Sequence, residues 1–151
     1  MNSVSEAEAI ALLVGPNTCV EIGDWEQLKQ QPGTCVCRAG VLDQEGVAIG
    51  LIVELLHRRT QKTRSIKYKF TVFKQEAWGL ERVYQLDIEQ FHKQPKNTHD
   101  LPHEHLGDNR IRGEATWSSW TFSEALQYFT KRTKIVFQPP VKHPEVYELR
   151  G

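Results

Sequence analysis

The segment His99-Asp100-Leu101-Pro102-His103-Glu104-His105-Leu106-Gly107-Asp108 holds three of the chain's six histidines. In an extended backbone successive side chains alternate, so His103 and His105 fall on one side. An imidazole changes charge near neutrality, and it serves as proton acceptor, proton donor or metal ligand. Two of them on one side could act as base and acid on a phosphodiester. One takes a 2′-hydroxyl proton, and the other protonates the leaving oxygen. A metal site needs three or four ligands. His99, Asp108 or a cysteine could complete such a set, although the spacing matches no strong zinc motif. An HxH pair can also do no more than orient its loop by hydrogen bonds. Acid–base catalysis or RNA contact, metal binding, and a structural role all stay open at this point.

A second feature could serve the first. Residues 57–75 carry Arg58, Arg59, Lys62, Arg64, Lys67, Lys69 and Lys74, and no acid. Residues 1–56 carry eight acids and two bases, and residues 76–151 carry eleven acids and ten bases. The neutral total therefore conceals one basic strip. Cations so placed replace the counterions on a polyanion. Lysines on a solvated hairpin equally keep an edge strand from aggregating. Arg110 and Arg112 closely follow the histidines. With Arg58, Arg59, Arg64, Lys67 and Lys69 they are the candidate phosphate contacts, and His103 and His105 are the candidate catalytic pair.

Other residues are weighed in the same way. Trp117 and Trp120 flank Ser118-Ser119 and could stack on bases, or could close the start of a helix. Tyr68 and Phe70 alternate with Lys67 and Lys69, which puts the rings on the face opposite the lysines and favours a core role. Three cysteines, Cys19, Cys35 and Cys37, are an odd count and argue against a disulfide framework. They read as small buried apolar residues. No phosphate-cradling glycine loop, nucleophile elbow or paired-carboxylate signature occurs, which disfavours nucleotide hydrolysis and serine-hydrolase chemistry. No cofactor is implied.

The elements that must position these residues are legible in outline. Ser5-Glu6-Ala7-Glu8 has the form of a capping box ahead of a short helix stopped at Gly15-Pro16. Asp24 could cap a second short helix over 25–31. Thr34–Leu42 is a strand candidate, and Val47–Leu56 is a long apolar run that suits a central strand. A polar turn is expected over 58–65. Ile66–Val72 then alternates with Ile66, Tyr68, Phe70 and Val72 on one face. Residues 80–91 alternate after a turn at Ala77-Trp78-Gly79. A long loop is expected from His92 to about Ile111, and loops of that length tend to be functional. Thr121-Phe122-Ser123-Glu124 is a second capping box. It opens an amphipathic helix with Phe122, Ala125, Leu126 and Phe129 on one face.

The resulting expectation is an α+β domain. It has a four-stranded antiparallel meander packed against N-terminal and C-terminal helices. Residues 1–45 form a helical extension, 46–135 the core and 136–151 an irregular tail. A length of 151 residues with 39% hydrophobic and 25% charged residues suits one globular domain. No apolar run reaches the 18 residues of a membrane span. The N-terminus lacks a basic region and an apolar core, so the cytoplasm is the expected location.

The motifs also carry a family resemblance. Lys67-Tyr68-Lys69-Phe70 is similar to a KYR-type segment, and His103-Glu104-His105-Leu106-Gly107 to an HxHLG motif. Trp120-Thr121-Phe122-Ser123-Glu124-Ala125-Leu126 with Phe129 follows the pattern of the helix after it. In this order they resemble the TumE-like family, toxins of bacterial toxin–antitoxin modules, over about residues 47–135. Where that family carries an Arg-Tyr-Asp-Asn type segment, this chain has Tyr84-Gln85-Leu86-Asp87, a loose match. The first 45 residues have no counterpart. The resemblance implies an α+β toxin that acts on RNA or the ribosome and is neutralised by an antitoxin protein. Three functions are carried forward. They are a toxin-like RNA-directed protein or endoribonuclease, a non-catalytic protein- or nucleic-acid-binding module, and a metal-dependent hydrolase centred on His99, His103 and His105.

Overall fold

The longest alternating runs of the sequence form the longest strands. The computed structural model describes residues 2–60, 65–90 and 101–144. The chain runs α1 (Glu6–Leu12), β1 (Asn17–Val20), β2 (Glu26–Gln27), β3 (Thr34–Leu42), β4 (Ala48–Thr60) and β5 (Ser65–Glu76). It continues through β6 (Gly79–Gln90), β7 (His103–Leu106), β8 (Asn109–Arg112), α2 (Phe122–Thr133) and β9 (Ile135–Gln138). A short 3-10 helix spans Ala115–Ser119.

The expected four-stranded meander is corrected to one mixed sheet of nine strands among the described residues. Its order is β8-β7-β6-β5-β4-β3-β1-β9, with β2 also paired to β3. Two of the additional strands, β1 and β2, lie in the supposed helical extension. Residues 25–31 form no helix, because Glu26 and Gln27 pair with Val36 and Cys35. Two more come from the supposed histidine loop, where Gly107-Asp108 is a two-residue turn closing the hairpin β7–β8. Gly107 sits at φ +58, and a Cβ there would lie 2.4 Å from the Ser5 carbonyl oxygen. The last takes the start of the supposed irregular tail, where β9 pairs parallel to β1. These strands have only two to four residues, too short for alternation to reveal them. The polar turn expected over 58–65 is also shortened, because β4 continues to Thr60 and β5 starts at Ser65.

The core lies on one face of the sheet beneath α2. Thr121 caps α2 in a complete capping box with Glu124. Its buried residues Phe122, Ala125, Phe129 and Thr133 recur at helical spacing. Phe122 and Phe129 meet Phe70 edge-on at 5.5 and 5.8 Å between ring centroids. Full burial of each such ring contributes about 2–3 kcal/mol. Trp117 and Trp120 stack with ring centroids 5.0 Å apart, and both meet Tyr128 at a tilt, at 4.9 and 5.2 Å, which closes the start of α2. Cys35 and Cys37 face this core from β3, with Cys19 beside them on β1, all buried and unbridged. At α1, Ser5 accepts from the Glu8 amide, but the Glu8 side chain turns to Lys74 instead of back to the cap.

Candidate functional site

The face of the sheet opposite α2 carries the polar residues, and strand register arranges them in rows. One row runs Arg110–His105–Gln85–Thr71–Glu54–Arg38 across β8, β7, β6, β5, β4 and β3. The next runs Arg112–His103–Asp87–Lys69–Leu56–Val36. A third contains Glu89, Lys67, Arg58 and Thr34. Side chains within a row stand over neighbouring strands about 4.8 Å apart. The histidines and much of the basic strip therefore share one face, although they lie more than thirty residues apart in sequence.

The two imidazoles touch edge to face, with ring centroids 4.9 Å apart. His103 is buried, and its Nδ1 lies 2.9 Å from the Leu101 carbonyl oxygen. A carbonyl only accepts, so this contact assigns a hydrogen to Nδ1. Arg110 Nη2 lies 3.5 Å from the same nitrogen; with that hydrogen in place the guanidinium sits beside the ring and does not donate to it. His103 Nε2 faces Asp87 Oδ2 at 3.9 Å. A cleft of about 240 Å³ opens here between Leu101, Pro102, His103, Arg110 and Arg112.

Burial pushes the His105 pKa from 6.5 down to about 4, helped by the positive charges of Arg82, His103, Arg110 and Lys69. His105 is thus a neutral imidazole at physiological pH. Arg82 is held in place from two sides. Its Nε donates to Ser3 Oγ at 3.2 Å and its Nη1 to Gln85 Oε1 at 3.3 Å. Gln85 in turn donates to Thr71 Oγ1 at 3.0 Å.

The structure divides the sequence-derived candidates. His103, His105, Lys67, Lys69, Arg58, Arg110 and Arg112 come together on the open face. Arg58 and Lys67 lie near carboxylates there, Glu89 at 3.7 Å and Asp87 at 3.9 Å. Among the described residues no carboxylate lies within 4.0 Å of the amino or guanidinium nitrogens of Lys69 or Arg112. Arg59 alternates to the opposite face, paired with Ile66, and is not brought together with them. Arg64 and His99 lie outside the described residues. Among those described, no three His, Cys, Asp or Glu side chains are grouped to hold a metal ion.

Sequence reasoning missed Arg82, Gln85 and Asp87 as parts of the site. Asp87 appeared only in a loose motif match. Arg82 shares the parity of Tyr84, Leu86 and Ile88, which predicts the core face. A β-bulge in β6 between the pairs Val72–Tyr84 and Phe73–Arg82 reverses that parity and turns Arg82 toward His105.

Glu104, between the two histidines, points the other way. It is 2% exposed. It accepts from Arg132 Nε at 2.7 Å, from Tyr84 Oη at 3.3 Å and from the Tyr128 hydroxyl. Leu106 packs against the core, and Gly107 makes the turn. Every member of the HxHLG segment except the two imidazoles thus has a structural task. No described helix is long and apolar enough to cross a membrane. Comparisons of the chain with family models, curated proteins and solved structures give no match.

Proposed function

We propose that the protein is a toxin-like, RNA-directed endoribonuclease of the TumE-like kind that its HxHLG segment resembles. One observation carries this reading. Two imidazoles in ring contact share a sheet face with Lys69, Arg82, Arg110 and Arg112.

The roles follow from the surroundings. A scissile phosphate enters the cleft between Arg110 and Arg112, whose charges oppose the negative charge that develops on its oxygens. Neutral His105 takes the proton from the 2′-hydroxyl as that oxygen bonds to phosphorus. The bond from phosphorus to the 5′-oxygen breaks, and His103 delivers a proton from Nε2 to that leaving oxygen. The products are a 2′,3′-cyclic phosphate and a 5′-hydroxyl. RNA or the ribosome is the partner in this reading, and an antitoxin is the protein that silences it.

The test is incubation of the purified chain with labelled RNA in a metal chelator. The expected result is cleavage to cyclic-phosphate ends, lost in His105→Ala and in a substrate with a 2′-deoxy nucleotide at the cut. Salt-sensitive binding without cleavage would replace catalysis by a non-catalytic binding module. Cleavage only with added metal would favour the hydrolase reading.

A further inference from the structure

The open face does not end at the histidines. Three strands away from His105 along its own row stands Glu54, and Arg38 follows on β3. Here the segment before β3, paired to that strand through β2, borders a cavity of about 750 Å³. Its floor is apolar, from Val36 and Leu56, with Leu28 on the bordering segment. Its polar wall holds Glu54, whose side chain is only 19% exposed, and Arg38, whose Nε donates to Glu54 Oε2 at 2.6 Å. Glu26 adds a further acid. Acids outnumber bases here, so the cavity repels a phosphate and suits a group that donates hydrogen bonds.

We infer that this cavity is a base-recognition site, and that it takes a guanine of the same RNA strand whose phosphate lies between Arg110 and Arg112. The inference rests on the RNA reading above. From β8, which holds that phosphate, to Glu54 on β4 is four inter-strand spacings, about 19 Å. That is beyond the reach of the base attached to the cleaved phosphate, so a neighbouring nucleotide supplies it. Single-stranded RNA is read by splaying out its bases, stacking them and bonding their Watson–Crick edges. The guanine edge presents adjacent N–H donors from its ring nitrogen and its exocyclic amine. A carboxylate offers two oxygens with about four lone-pair sites, so Glu54 serves Arg38 and both donors together. Adenine presents only one donor, its exocyclic amine, and sets a ring acceptor against the second carboxylate oxygen. Uracil and cytosine each present a donor beside an acceptor and match half of it. The apolar floor supports the flat face of the base, and the planar Arg38 guanidinium covers it.

The experiment is a binding titration of the full chain with fluorescein-labelled oligouridylate and with the same oligomer carrying one guanosine. Wild type is expected to bind the guanosine-containing RNA about tenfold more tightly, as hydrogen bonds to a charged acceptor imply. Glu54→Gln is expected to bind both RNAs equally, with the salt dependence of wild type retained. Equal affinities in wild type, or a preference that survives Glu54→Gln, would overturn the inference and leave the RNA reading standing. Absence of RNA binding by wild type would overturn the RNA reading itself. A second measurement decides the pocket in every case. Guanosine should shift the methyl resonances of Val36 and Leu56 in the wild-type protein, and adenosine should not. Shifts elsewhere, or identical shifts with both nucleosides, would sink it.

Discussion

Three consecutive residues of β7 contrast the two faces of the sheet. Glu104 turns inward to Arg132, Tyr84 and Tyr128 and is almost wholly buried. His103 and His105 turn outward, beside Asp87, Lys69, Arg82 and the arginines of β8. The inner polar group binds helix to sheet and has all its partners within the protein. Of the outer groups, His103, Arg110 and Arg112 line a cleft. Polarity on this strand is thus satisfied within the protein on one side and left facing a polar surface on the other.

Variants can break that comparison. The largest effect on folding is expected from Glu104→Ala, which strands Arg132 and two tyrosine hydroxyls beneath α2. Arg132 keeps access to solvent, so the cost comes chiefly from the unpaired hydroxyls and is about 1–3 kcal/mol, to be read from the denaturant midpoint. A loss below about 1 kcal/mol would show that the network contributes little to holding α2. His105→Ala should do the reverse. Cleavage should fall about 10²–10⁴-fold, as for loss of a general base, while the unfolding midpoint barely moves. If this variant unfolds instead, the imidazole belongs with Glu104 as a structural group.

Acid sharpens the contrast next. The folded protein resists protonation of His105, whose pKa is held at about 4 against 6.5 without its surroundings. Stability from this residue is therefore complete above about pH 6.5 and is lost as pH falls toward 4. Solvent screening of the partly exposed ring limits the loss to about 2 kcal/mol. Denaturation at pH 7 and pH 4.5 should show it, and His105→Asn should shrink it. Arg82→Gln should move the His105 titration upward by NMR; an unchanged titration would remove Arg82 from the site. The smallest effects concern single phosphate contacts. Arg110→Ala and Arg112→Ala should each lower the slope of log affinity against log salt by about 1. Arg59→Ala, on the opposite face, should leave the slope unchanged.

Much of the scaffold was legible because its signals are local. Thr121 with Glu124 announced α2, and Phe122, Ala125 and Phe129 announced its buried side. The alternation of Tyr68, Phe70 and Val72 announced the core face of β5. The strands of two to four residues were missed, since so few positions carry no period. Residues 103–112 were read as loop because Pro102 and Gly107 punctuate them. Yet Gly107 is the turn that makes them a hairpin, and its contact with Ser5 ties that hairpin to the N-terminus.

By itself, then, the sequence determined what depends on near neighbours: two helix caps, the longest strands, and the placing of His103 and His105 on one side of an extended segment. The tertiary structure alone decided what those imidazoles face. Register is set by backbone pairing between distant segments, and the pleat then assigns every side chain to a face. Pairing across β5, β6 and β7 brought Lys69 and Asp87 into the row of His103, and β8 added Arg112. The same alternation put Arg59 on the opposite face, and one extra residue in β6 turned Arg82 toward His105.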